Sequence, residues 1–142
     1  MRIATWNVNS IRSRIDRVEE AVFLTRGEFA RLLELIREPY RPLVLLLGGT
    51  GMRWGEATAL TIGDLDRESR TARIRQAWKQ GPGGGVLGPP KSRRSRRTVA
   101  VPEAVFDALA PGMEGRAPHE LAVLNPRGLP VRSGSFHEDV WQ

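Results

Sequence analysis

The 142 residues contain no cysteine. That absence excludes disulfides, thiol nucleophiles and cysteine-ligated metals, and it suits a reducing compartment, so the expected location is the cytoplasm. Tyrosine is almost as scarce, with Tyr40 the single copy, and there are two histidines, His119 and His137. Lysine is nearly missing too: of the 22 basic residues only Lys79 and Lys91 are lysines. Arginine's planar fork suits bidentate phosphate contact, although genome base composition can also raise arginine content. The longest apolar run, LVLLL (43–47), is far below the roughly 20 residues that a membrane helix needs. No signal peptide is visible. Neither a membrane nor a small-molecule substrate is an expected partner, and no cofactor or metal is implied.

What is present points toward nucleic acid. Against the 22 basic residues stand 16 acidic ones, giving a net charge of +6 and a pI near 11.1. Such a balance draws a chain toward phosphate over long range. The length fits one domain with a real core, and a hydrophobic fraction of 40% fits a globular protein.

Composition changes along the chain. Residues 1–18, MRIATWNVNSIRSRIDRV, read as a short strand (2–8) followed by a polar, arginine-rich helix start. From Thr25 the pattern becomes amphipathic. Thr25 and Glu28 form a capping box, and Phe29, Leu32, Leu33 and Ile36 follow helical spacing, which predicts a helix over 26–37. Pro39 and Pro42 end it and begin a second, largely buried helix over 42–49, with a third over 53–60. The alternation in 72–78 predicts a strand, with GPGGG (81–85) as a turn and further strands at 86–87 and 98–101. Pro102 starts a helix over 102–110 with Val105, Phe106 and Leu109 inward; 111–120 reads as a loop, 121–124 as a buried strand or turn, NPRG as a tight turn, and 133–142 as the start of a helix. The fold class is therefore α+β, mainly helical, with a small three-stranded antiparallel sheet. The four tryptophans, at 6, 54, 78 and 141, read as core or interface residues rather than base-stacking platforms.

The densest chemistry lies in LVLLLGGTGMRWGEATALTIGDLD (43–66): an apolar run, a turn through Gly48, Gly49 and Gly51, then Arg53 at the head of a helix and Glu56 one turn on. An arginine fixed after a glycine turn suits gripping a phosphate. The basic segment PPKSRRSRRTVAVP follows, carrying Lys91. Together these resemble the catalytic domain of the tyrosine recombinases, or phage integrases, over residues 21–142. The resemblance implies a DNA integration and recombination function acting on duplex DNA, with further recombinase subunits as partners. It implies that Arg53 clamps the scissile phosphate in the transition state, that Glu56 supports that site, and that Lys91 is the general acid toward the departing 5′-oxygen. Arg93, Arg94, Arg96 and Arg97 become contacts to DNA phosphates. The bland alternatives are an Arg53–Glu56 pair, a surface glutamate, and a solvated basic loop.

The resemblance also shows what is missing. That family needs a His-x-x-Arg box and a nucleophilic tyrosine after the basic segment. Neither His119 nor His137 has an arginine three residues later, and Tyr40 precedes Arg53, which makes it a structural residue. The expectation is a catalytically incomplete fragment that binds DNA. Residues 1–20 form no complete domain; the first 18 resemble the opening of the exonuclease III class of abasic-site endonucleases, where the position matching Asn7 lies in the active site. A metal-dependent nuclease fragment is therefore one alternative, and a basic nucleic-acid-binding module without chemistry is another.

Overall fold

Thr25 and Glu28 fix the first long helix in the way their spacing predicts. The Thr25 hydroxyl accepts the Glu28 amide at 3.2 Å, and the Glu28 carboxylate accepts the Thr25 amide at 2.6 Å. In the computed structural model, which describes residues 2–3, 24–82, 84–90 and 92–140, this helix, α1, is Arg26–Leu35. The strand read at 2–8 is described only as β1 (Arg2–Ile3), which pairs antiparallel with β2 (Leu24–Thr25). The rest of that strand, Asn7 and the remainder of the exonuclease-like leader lie outside the described residues.

Helix α2 (Arg41–Thr50) begins with Pro42 in its first turn, where a missing amide hydrogen costs nothing, and buries Leu43, Val44, Leu46 and Leu47. It ends at Gly51, whose φ of +70° is left-handed; the Gly51 amide closes the helix on the Leu47 carbonyl at 3.0 Å. Gly48 and Gly49 are not part of the turn, as the sequence suggested, but lie inside α2. The reason at Gly48 is packing: a Cβ there would fall 2.4 Å from the Phe29 ring, so the glycine lets α1 approach α2.

The three-stranded antiparallel sheet exists, with two of its strands on the predicted segments and Leu65–Asp66 in place of 86–87. It is β3 (Leu65–Asp66), β4 (Thr71–Ile74) and β7 (Arg97–Ala100), in the order β3-β4-β7. The run 72–78 is two strands. It breaks at Arg75 and Gln76, whose side chains turn back to the Asp64 carboxylate and to the Ala59 carbonyl (2.8 Å). β5 (Ala77–Gly81) then forms a separate hairpin with β6 (Gly84–Gly88).

Helix α4 (Glu103–Met113), named after the short α3 described below, buries Val105, Phe106 and Leu109 against α2. It runs three residues past the predicted end and carries Pro111 in its last turn, where a proline removes one helical hydrogen bond without preventing the turn. The segment 121–124 joins the body through the Thr61–Leu121 bridge and the Ala122 amide on the Leu60 carbonyl (2.8 Å), while the Leu124–Pro130 bridge and the Gly128 amide on Asn125 (2.9 Å) close the NPRG turn. Helix α5 (Ser133–Val140) follows.

Tyr40, read as structural, is buried and ties α5 to the body. Its hydroxyl donates to the Asp139 carboxylate at 2.6 Å, and its ring meets Phe136 edge-on at 5.3 Å. Burial, then the bond to Asp139, pushes the phenol up to about 12. Because the folded value lies above the unfolded one of 10.0, this stabilisation is complete below pH 10 and is lost as pH rises toward 12. With only two lysines in the chain, few other groups titrate there. Wild type should therefore lose about 2–3 kcal/mol across that window, and Tyr40→Phe should lose much less. Urea titrations at pH 9 and pH 11.5 measure the difference, and equal losses in both proteins would remove Tyr40 as the cause.

Candidate nucleic-acid interface

After the Gly51 cap the chain passes buried Met52 and reaches Arg53, whose extended backbone (φ −69°, ψ 151°) starts the single-turn helix α3 (Trp54–Ala57). The predicted third helix, 53–60, is thus cut to four residues. Glu56, in this turn, is the pivot of the site. Its carboxylate accepts the Arg53 amide at 3.0 Å and receives both terminal nitrogens of Arg97, Nη1 at 3.1 Å and Nη2 at 3.2 Å. At 3% exposure it is not a surface glutamate. Nor does it pair with the Arg53 side chain: it holds the Arg53 backbone and leaves that guanidinium exposed, with no partner among the described residues.

Arg97 therefore departs from its expected place among the phosphate contacts. In the β4–β7 register it lies opposite Ile74, which faces the core, so its side chain is directed to the inner side of the sheet. There Glu56 neutralises it. Arg93, Arg94 and Arg96, expected as phosphate contacts, are all on the surface, without a carboxylate partner among the described residues. Lys91 lies outside the described residues.

A second anchor holds the neighbouring strands. Asp64, buried, accepts the Thr61 amide (3.1 Å) and hydroxyl (2.8 Å) as well as the Arg75 guanidinium, and this bond raises the Arg75 pKa further above its ordinary value. The sequence offered no sign of this pairing, because Asp64 ends a short 3-10 turn (Ile62–Asp64) while Arg75 falls at the break between two strands.

The hairpin packs its backbone onto α3. A Cβ at Gly55 would fall 3.0 Å from the Trp78 carbonyl, and the Trp78 indole donates to the Thr58 carbonyl at 3.2 Å. Between the hairpin and the start of α5 lies a cleft of about 350 Å³ whose wall includes Trp54, Trp78, Lys79 and Arg132. Lys79 was not singled out from the sequence, and nothing in the spacing of the 72–78 alternation marks it. Trp54 and Trp78 are the half-buried packing residues that the sequence suggested, and Trp54 meets Phe136 at 4.9 Å.

Comparison with known proteins bears on the fold. No family model matches the chain. A Mycobacterium tuberculosis protein described as a prophage phiRv2 integrase is 28% identical over 100 residues, which cover 70% of this chain and 26% of the relative. The chain thus spans about a quarter of that relative's length. Among solved structures, the Tn1549 transposon integrase in complex with a circular intermediate DNA superposes with a TM-score of 0.67 at 23% identity, covering 80% of this chain and 41% of the other. The XerA recombinase superposes with a TM-score of 0.60 at 19% identity, covering 84% and 39%. The chain shares its fold with integrases and recombinases. The exonuclease alternative draws no support from these relatives. Among the described residues no group of three or more His, Asp or Glu side chains is placed to hold a metal ion, and no helix is long and apolar enough to cross a membrane.

Proposed function

We propose that residues 21–142 are the first part of a tyrosine recombinase catalytic domain that binds duplex DNA through its phosphates, with Arg53 as the residue that grips the phosphate at the site. One observation carries this reading: a buried carboxylate fixes the Arg53 backbone at a helix start while its guanidinium stays exposed and unpaired among the described residues. A side chain held in that way presents its five donors to an anion without first breaking an ion pair. The shared fold and the integrase relative support the same assignment. In this reading Glu56 positions Arg53 rather than moving protons, Lys91 supplies the proton to the departing oxygen, and further recombinase subunits complete the assembly.

The chain's own residues lack the covalent step. Its single tyrosine is buried and hydrogen-bonded to Asp139, so it offers no nucleophile to a phosphate. Incubation with a nicked duplex is expected to give reversible binding and no covalent protein–DNA adduct; an adduct that survives denaturing electrophoresis would overturn this. For the Arg53 assignment, Arg53→Ala should leave the unfolding free energy within about 0.5 kcal/mol. It should weaken binding to a nicked duplex roughly tenfold, more than Arg94→Ala does. Equal, uniform losses from the two variants would favour a basic module without a dedicated phosphate site.

A further inference from the structure

The arginines of this chain divide by what they already hold. Arg97 is on Glu56, Arg75 on Asp64, Arg67 on Glu103 and Asp107, Arg70 on Glu103, and Arg116 on Glu120. Arg73 is different. It projects from β4 on the outer side, opposite Thr98 of β7, because its neighbours Ala72 and Ile74 take the core face. It is exposed and has no carboxylate partner among the described residues, and the same holds for Arg96. These two cations, together with Thr98, line one open depression of about 550 Å³. Arg75 and Arg97 border it, and both arrive already neutralised by buried acids. The depression therefore has two positive charges without a carboxylate partner among the described residues, on a floor formed by β4 and β7, and its edge reaches Arg97, the partner of Glu56.

We propose that this depression is a second phosphate-binding site, in which Arg73 and Arg96 hold a backbone phosphate of the same duplex that Arg53 engages. The inference rests on the DNA-binding reading above and adds to it a residue, Arg73, and a surface, the outer face of β4 and β7. Two exposed arginines side by side repel each other in the free protein, and an anion between them removes that repulsion. Since the contact is to phosphate and not to a base edge, it positions the protein without reading sequence.

The test is fluorescence anisotropy of the full chain with a labelled duplex across a salt series. Arg73→Gln should weaken binding several-fold on any duplex sequence and reduce the slope of log affinity against log salt by about 0.9. Arg73→Gln with Arg96→Gln should reduce it by about twice that. Arg127→Gln is the matched control: Arg127 is exposed in the NPRG turn, close enough to Tyr40 to act on its charge, and does not line the depression. It should leave the slope unchanged. Thermal melts of each variant check that the fold is intact. If Arg73→Gln matches Arg127→Gln while Arg53→Ala still weakens binding, the second site is refuted and the first stands. If wild type binds duplex DNA without salt dependence, both fall together.

Discussion

Arg97→Ala is expected to destabilise the chain by roughly 2–4 kcal/mol, a large loss for a residue with a side chain about a third exposed. The reason lies in what it leaves behind. Glu56 is 3% exposed, and without Arg97 its carboxylate keeps a single strong donor, the Arg53 amide. An ionised group stripped of its partner in the interior costs far more than the pair itself contributes. A double-mutant cycle separates these terms. Glu56→Gln should cost less than Arg97→Ala, because the amide oxygen still accepts from the Arg53 backbone and no charge is stranded. Arg97→Ala in the Glu56→Gln background should then cost under about 1 kcal/mol, since nothing buried depends on the guanidinium any longer. Urea unfolding of the four proteins supplies the cycle. Additive losses would show that Glu56 and Arg97 are not coupled and that the site is held by something else.

Phe136→Ala should cost about 3–4 kcal/mol, near the usual figure for emptying an aromatic position in a core. Phe136 is 7% exposed and meets two rings edge-on, Tyr40 at 5.3 Å and Trp54 at 4.9 Å. Its removal opens a void between the start of α2, the single turn α3 and α5, and it loosens the helix that carries Asp139 to Tyr40. Trp54 is the residue next to Arg53, so the damage should reach the candidate site. Emission from Trp54 should shift to the red as water enters, and DNA affinity should fall even at temperatures where the chain is still folded. Phe136→Leu, which refills most of the volume, should recover much of the stability. A loss below 1 kcal/mol with unchanged emission would mean that α5 is not docked on this ring in solution.

Much of the architecture was legible because it is local. The Thr25–Glu28 box, the Pro42 start, the apolar spacing of α1, α2 and α4, and the NPRG turn each depend on residues within a few positions of one another. The alternation in 72–78 misled because it runs through a strand break, which is set by distant partners: Asp64 for Arg75 and the Ala59 carbonyl for Gln76. Likewise Gly48 and Gly49 look like a turn until the Phe29 ring is placed against the helix. At the candidate site, Arg53 stood out by the glycine turn ahead of it, and Glu56 was singled out through the resemblance; its bond to the Arg53 amide is local, three residues apart. Arg97 was not, since four arginines in five residues look alike in sequence, and only the β4–β7 register turns one of them inward while leaving Arg93, Arg94 and Arg96 outside. Arg73 was hidden in the same way, as one of several arginines on an alternating strand.

The link between Glu56 and Arg97 spans 41 positions, and that span sets an order of assembly. A chain made from its N-terminus exposes Arg53 and its glutamate well before β7 exists to pair with β4. Until that pairing forms, Glu56 lacks the guanidinium that neutralises it in the folded chain, and Arg53 stands three residues away. If Arg53 holds phosphate as proposed, the site is complete only once β7 has paired with β4 and brought Arg97 to Glu56.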